Sequence, residues 1–224
     1  MEIRVKDISK IYGANENQVV ALNLASMTIQ EGDFISIMGP SGSGKSTLLH
    51  IISGLDTPTS GSVLYGSTDI HHGSDKDLSA FRRRKIGFIF QQFNLLPVLT
   101  AYENIVMPML LDKKQADEAY LQELASLLGL KNRLSHLPHE LSGGQQQRTA
   151  IARALIAKPD IIFADEPTGN LDSKSGGEVM NMLCNIREKM KKTLVIITHD
   201  PRIAQMAERR FTIIDGELSE VTAS

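Results

Sequence analysis

Near the start of the chain apolar residues recur at every second position, the period of a strand with one covered face. Ile3, Val5 and then Ile8 mark a first strand. Val20, Leu22 and Leu24 alternate with Ala21, Asn23 and Ala25, and Met27 and Ile29 continue the strand. Ser62 to Ile70 reads as a hairpin turning near Gly66. These pieces predict an antiparallel sheet. Phe34–Met38 reads as a short buried strand. Ile161–Ala164 and Thr193–Ile197 are continuous apolar runs, as expected of strands covered by helices on both faces. Phe211–Ile214 is a further strand, and Asp215-Gly216 turns it into a short last one. A period of 3.6 appears from Gln115 to Leu130, where Ala119, Leu121, Leu124, Leu127 and Leu128 share a face and Gly129 marks the end. It recurs from Gln145 to Ala157 through Ala150, Ile151, Ala154 and Leu155, and again through Val179, Met182, Leu183 and Ile186. Strands alternating with helices predict an α/β core. The block Phe93–Gly144 offers no core strand and is expected to be a helical insertion.

Composition adds limits to this picture. A chain of 224 residues makes one large domain or two small ones. Its net charge of −2 gives no basic footprint, so nucleic acid is not expected as a partner. The single cysteine, Cys184, falls in a helical pattern as a small buried apolar residue, and one thiol suits a reducing cytoplasm. Glu2, Arg4, Lys6 and Asp7 interrupt any signal-peptide pattern. The most apolar stretch, Phe93 to Leu111, contains Asn94, Pro97, Glu103, Asn104 and Pro108, which argue against a spanning helix. A soluble protein is expected, with membrane association only through a partner. His71-His72 lacks ligands at metal-site spacing and is expected in a solvated loop. Arg82-Arg83-Arg84-Lys85 is read as a solvated basic run, with a partner or lipid headgroup as the alternative.

Gly39-Pro40-Ser41-Gly42-Ser43-Gly44-Lys45-Ser46 matches G-x-x-x-x-G-K-[ST] and lies between the strand Phe34–Met38 and a helix opening at Thr47. Glycines in such a loop let backbone N–H groups curl around phosphates, and the helix N-terminus adds its positive dipole end. Gly39, Ser41, Gly42, Ser43, Gly44, Lys45, Ser46 and Thr47 are therefore candidate nucleotide-binding residues. Lys45 is expected to reach the β- and γ-phosphates, and the Ser46 hydroxyl to hold Mg²⁺. At Asp165-Glu166, 120 residues after Lys45, an apolar strand ends in two carboxylates. Asp165 suits Mg²⁺, and Glu166 suits a general base that polarises water. Leu141-Ser142-Gly143-Gly144-Gln145 makes a second anion cradle, because Ser142 can cap a helix whose first N–H groups two glycines leave bare.

With this last motif the chain resembles nucleotide-binding subunits of the ATP-binding cassette (ABC) superfamily, and the likeness extends over nearly its whole length. The resemblance implies a P-loop, RecA-like α/β core with an antiparallel β subdomain. It also implies an inserted α-helical subdomain, approximately residues 93–150, carrying the signature motif within a single domain of residues 1–224. ATP and Mg²⁺ are the implied cofactors. Tyr12 resembles the aromatic residue that stacks on adenine, with Val20 as a second wall. Gln91 resembles the glutamine that senses Mg²⁺ and the lytic water. Asn170-Leu171-Asp172 resembles the loop at the dimer interface, and His199 the histidine that contacts the γ-phosphate. In that family Ser142, Gly143, Gly144 and Gln145 would face ATP bound to a second copy, which implies a head-to-tail homodimer.

Gly54–Gly61, Phe93–Pro97, Leu141–Arg148 and Ala164–Asp172 resemble the macrolide-export and lipoprotein-release (MacB/LolD) group. That implies an ATPase at the inner face of the cell membrane, powering a separate MacB/FtsX-type integral membrane permease. Gln91 through Ile105 would receive the permease's coupling helix on Phe93, Leu95, Leu96 and Val98; packing of these residues inside the insertion is the alternative. A division-type mechanotransmission ATPase and a soluble ABC ATPase of DNA repair or translation stay open as alternatives.

Overall fold

The computed structural model describes residues 1–221. In chain order its strands and α-helices are β1 (Ile3–Tyr12), β2 (Val19–Ile29), β3 (Phe34–Met38), α1 (Lys45–Ile52), β4 (Ser60–Tyr65), β5 (Thr68–Asp69) and α2 (Asp75–Lys85). There follow β6 (Ile86–Ile89), α3 (Ala101–Leu111), α4 (Glu118–Leu127), α5 (Gly143–Leu155), β7 (Ile161–Asp165), α6 (Ser173–Met190), β8 (Thr193–Ile197), α7 (Pro201–Ala204), β9 (Arg209–Ile214) and β10 (Glu217–Glu220). The chain forms two compact units. One comprises Met1–Ser79 and the chain from Thr193 onward, the other Ala80–Lys192.

The first unit holds the antiparallel sheet that the two-residue period predicts, in the order β2-β1-β4-β5. Ile3, Val5, Leu22, Ala25, Ile29 and Val63 are buried beneath it. The same unit carries β8-β3-β9 in parallel, with β10 antiparallel on β9. Ile35, Ile37 and Leu194 through Ile197 are fully buried, as uninterrupted apolar strands require. Burying each such side chain contributes about 1.5–3 kcal/mol. α1 lies against this core through Leu48, Leu49, Ile51 and Ile52 and ends where Gly54 turns at φ +71°.

In the second unit β6 and β7 pair in parallel, from Ile86 opposite Ile161 to Ile89 opposite Ala164. α5 buries Ala150, Ile151, Ala154 and Leu155, the face its periodicity predicts, and begins at Gly143 because Ser142 caps it. α4 is shorter than the periodic stretch, with Asp117 accepting from Tyr120 N–H as its N-cap. In α6 the buried set is Val179, Met180, Leu183 and Ile186, so Met180 occupies the core instead of Met182.

Several local expectations change. α3 lies hidden in the apolar stretch; Thr100 and Glu103 start it with a reciprocal capping box. Strand β6 escapes the sequence pattern because a four-residue run beginning beside basic residues carries little periodicity. The basic run is structural in part. Arg84 donates twice to Asp112, Arg83 and Lys114 also pair with it, and Lys85 meets Asp160 at 3.0 Å. His71 is half-buried, not solvated: its Nε2 lies 3.0 Å from the Ile51 carbonyl, and burial pushes its pKa down. His72 is exposed as expected. Cys184 is half-buried, and burial pushes its thiol pKa up.

One glycine decides how the phosphate loop meets the antiparallel sheet. Gly44 has φ +103°, and a Cβ there would stand 2.2 Å from the Ala21 carbonyl oxygen of β2. Gly44→Ala is expected to destabilise the protein by about 1–3 kcal/mol through overpacking, with further backbone strain. In a chain of this size each kcal/mol lowers the melting temperature by about 2–4 °C. Thermal unfolding monitored by circular dichroism checks this; an unchanged melting curve would contradict the close approach.

Candidate nucleotide site

β3 ends at Met38 and α1 begins at Lys45, so residues 39–44 form the turn between a buried strand and a helix. Gly44 in the left-handed region supplies the N-cap, and no side chain caps the helix. Its first turn also lacks acidic residues. The N-terminal N–H groups and the positive dipole end therefore have no anionic side-chain partner from that turn. Ala21, Gly42, Gly44, Lys45, Ser46 and Thr47 line an open cavity of about 160 Å³. Lys45 is buried, and its Nζ donates to the Gly39 and Pro40 carbonyls at 3.0 and 2.8 Å. The ammonium is thus folded back over its own loop. Ser43 Oγ is buried without a hydrogen-bond partner. A buried hydroxyl left unpaired costs free energy that an incoming acceptor oxygen can offset. An orphaned donor inside a glycine-rich turn fits a phosphate.

Ser46 is exposed at the start of α1, with Thr47 half-buried beside it, while Ser41 is exposed on the loop. Tyr12 closes β1 opposite Val19, and Ile11 pairs with Val20, so Tyr12 and Val20 share one end of the ribbon. Both are exposed. His199 is exposed just after β8, between buried Thr198 and Asp200, the N-cap of α7. All these residues belong to the first unit.

The second unit brings its own set together. β7 ends on Asp165, and Glu166 follows in the left-handed region at φ 44°. Such a conformation in a non-glycine residue costs on the order of 1–3 kcal/mol and tends to occur at functional turns. The Glu166 carbonyl accepts from Gly169 N–H at 3.0 Å. A Cβ on Gly169 would meet Gln91 Nε2 at 2.9 Å and Glu166 Oε2 at 3.3 Å, so both side chains converge on that glycine. Asn170 Nδ2 donates to the Gln91 carbonyl at 3.0 Å. Asp172 is exposed and caps α6 by accepting from Lys174 and Ser175 N–H groups at 3.0 Å. The Ser175 side chain first, then these N–H groups, hold its carboxyl below the usual range. Gln91, Glu166 and the loop to Asp172 are therefore one cluster.

Ser142 accepts from Gln145 N–H, and Gln145 Oε1 accepts from Ser142 N–H, a reciprocal capping box. Gln145 thus shapes the helix start, while Gly143 and Gly144 add no side chain to it. A Cβ on Gly143 would sit 3.4 Å from Leu171, so the signature packs on the loop before Asp172.

Three residues of this unit have structural roles that the sequence reading did not assign. Gln147, fully buried, donates through Nε2 to the Pro167 carbonyl at 2.6 Å and ties α5 to the turn after Glu166. Asn104, fully buried in α3, accepts from Leu96 N–H and donates to the Leu96, Leu99 and Thr100 carbonyls. Arg153 of α5 donates to the Phe93 and Asn94 carbonyls. For Asn104 and Arg153, a polar residue among apolar neighbours is the one sequence signal that could have found them; Gln147, within a polar run, gives none. Together Asn104 and Arg153 fasten a loop on which Leu96 and Val98 are exposed while Phe93 and Leu95 are half-buried. Packing inside the insertion thus accounts in part for Phe93 and Leu95, and not for Leu96 and Val98.

Similarities to known proteins fit this geometry. Residues 22–169 match the ABC transporter family model. The lipoprotein-releasing system ATP-binding protein LolD of Geobacter metallireducens is 46% identical over 218 residues, 96% of this chain and 97% of its own. The macrolide export ATP-binding/permease protein MacB of Bdellovibrio bacteriovorus is 46% identical over 214 residues, 96% of this chain but 33% of that protein. Among solved structures, the dimeric ATP-binding cassette MJ0796 in a post-hydrolysis state bound to ADP and Pi superposes with a TM-score of 0.89. It is 43% identical and covers 99% of this chain and 100% of that one. This protein therefore belongs to the ABC transporter family, as an ATP-hydrolysing, ATP-binding subunit of the macrolide-export and lipoprotein-release type.

Proposed function

We propose that this ATPase works as a head-to-tail homodimer whose ATP-driven closure powers a separate membrane permease. One observation carries the reading: a single chain holds two glycine-bared helix starts, α1 and α5, and only the first is joined to a lysine. One phosphate cradle suffices to bind a nucleotide, so the second is available to the nucleotide of a partner. The dimeric MJ0796 cassette supports a dimer.

In this reading the N–H groups of residues 39–47 and the Lys45 ammonium hold the phosphates of ATP, with Ser43 Oγ finding there the partner it lacks. Tyr12, flanked by Val20, receives the adenine. Ser46 and Asp165 offer hard oxygen donors and Gln91 a neutral amide, a set suited to Mg²⁺. When bound, Mg²⁺ neutralises charge on the phosphate oxygens. Glu166 takes a proton from the attacking water, in a turn fixed by Gln147 and shared with Gln91. His199 contacts the γ-phosphate. From the second copy, Ser142, Gly143 and Gly144 close over it, aligned by Gln145, and Asp172 stands on the loop at the interface. The helical segment of approximately residues 93–150 acts as the inserted signature-bearing subdomain. Leu96 and Val98 suit an apolar contact with the permease. No described helix is long and apolar enough to cross a membrane. In this reading the permease holds the cassette at the cytoplasmic face.

Complementation tests the dimer. Lys45→Ala and Ser142→Arg are each expected to abolish ATP hydrolysis, whereas their mixture regains it. In a mixed dimer one site pairs the intact phosphate loop of one chain with the intact signature of the other. Phosphate release measured on the mixture decides; a mixture as inactive as its components would overturn the composite site.

A further inference from the structure

Tyr12 is exposed, yet it is fastened at its polar tip. The phenol donates to Asp56 Oδ2 at 2.6 Å. Lys10, two residues earlier on β1, donates to Asp56 Oδ1 at 2.7 Å and to the Thr57 carbonyl at 2.6 Å. The Lys10 ammonium also stands 4.8 Å from the Tyr12 ring centroid. Asp56 is itself anchored, because Leu55 and Asp56 N–H groups both reach the His50 carbonyl, and Asp56 Oδ1 accepts from Thr57 N–H at 2.7 Å. The carboxylate that grips the phenol is thus tied to the last turn of the helix that carries Lys45 at its first. A surface phenol needs no such assembly to stay folded.

We propose that Asp56 and Lys10 are positioning residues for adenine, clamping the Tyr12 ring so that the face opposite Lys10 receives the base. The inference rests on the reading of Tyr12 as the adenine platform. An exposed ring that must be ordered on binding loses rotamer freedom, worth about 0.5–1.5 kcal/mol per side chain. Ordering it beforehand removes that cost. The protonation states fit the clamp. Burial works against ionisation of Asp56, but the bonds from Lys10, Tyr12 and Thr57 outweigh it and hold the carboxyl below its usual range. Burial, followed by Asp56, pushes the Tyr12 phenol up, so it remains a donor. A cation over one ring face adds attraction there and leaves the other for stacking.

The experiment compares binding of Mg·ATP with binding of Mg·tripolyphosphate, which has the phosphates and no base, by calorimetry on the full chain. Tyr12→Phe keeps the ring and removes the grip; Asp56→Ala removes the anchor; Tyr12→Ala removes the platform. Tyr12→Phe and Asp56→Ala are each expected to weaken ATP about two- to tenfold while tripolyphosphate binds as before. The double variant should be no weaker than either single one, since both break one network. Should Tyr12→Ala weaken ATP selectively while Tyr12→Phe and Asp56→Ala bind as the unmodified chain does, the clamp is refuted and the platform stands. If Tyr12→Ala leaves ATP untouched, the platform itself is refuted and the clamp with it. Equal weakening of ATP and tripolyphosphate by Asp56→Ala would show that Asp56 acts through α1 alone, which also overturns the proposal. Tyr12→Phe, the mildest change, keeps the test decisive even if Asp56→Ala unfolds.

Discussion

Glu166→Gln is expected to lower the rate of ATP hydrolysis by about 10²–10⁴-fold, the contribution typical of a positioned general base, while leaving ATP bound. The amide matches the carboxylate in size and can take the same turn at φ 44°. It keeps an acceptor oxygen for water but cannot take a proton. In the proposed mechanism residues 39–47 hold the phosphates, so affinity is expected to persist. Hydrolysis is also what would reopen a closed dimer. With Mg·ATP the variant should therefore elute as a dimer in size-exclusion chromatography, and the unmodified chain as a monomer once its ATP is spent. Phosphate release and elution volume together check both halves. Unchanged turnover would remove Glu166 from the mechanism. A slow but strictly monomeric variant would instead remove the dimer.

Lys45→Ala should act on the other quantity. Lys45 Nζ rests on the Gly39 and Pro40 carbonyls at 3.0 and 2.8 Å, neutral acceptors that a phosphate oxyanion can replace. A hydrogen bond to a charged group contributes about 1.5–3 kcal/mol, which corresponds to roughly 10- to 150-fold in affinity. ATP affinity is expected to fall by that factor, measured by equilibrium dialysis at fixed Mg²⁺. Turnover should fall with it, because phosphate charge would no longer be stabilised in the transition state. Thermal unfolding without nucleotide separates this from simple damage to the loop. A variant of unchanged melting temperature and unchanged ATP affinity would place the phosphates elsewhere.

Both predictions draw on residues that are legible in the amino-acid sequence, and for a physical reason. Phosphate binding by backbone N–H groups needs glycines at fixed offsets, a lysine and a hydroxyl, and so leaves a contiguous trace in residues 39–46. The signature helix does the same at 142–145, and the strand-end carboxylates at 165–166. Strands are readable where one face or both are apolar over several residues, as in β2, β3 and β8. They are not readable in β6, four residues long, nor is α3, whose apolar content surrounds it on every side. The Arg82–Lys85 run misleads because composition cannot say that Asp112 lies within reach.

What local chemistry demands at fixed spacing, the order of residues determined alone: the alternating α/β elements, the glycine-rich loop of residues 39–46, the cap on α5, and the two carboxylates at the end of β7. Contacts between segments distant in sequence were decided only by the tertiary structure, since side-chain reach depends on where the backbone returns. Asp56 reaches across 44 residues to hold Tyr12, Gln147 holds the turn after Glu166 from 20 residues away, and Gln91 lies against Gly169 beside Glu166. Residue type alone predicts none of these contacts; burial and hydrogen-bond geometry, which only the packed chain creates, decide them.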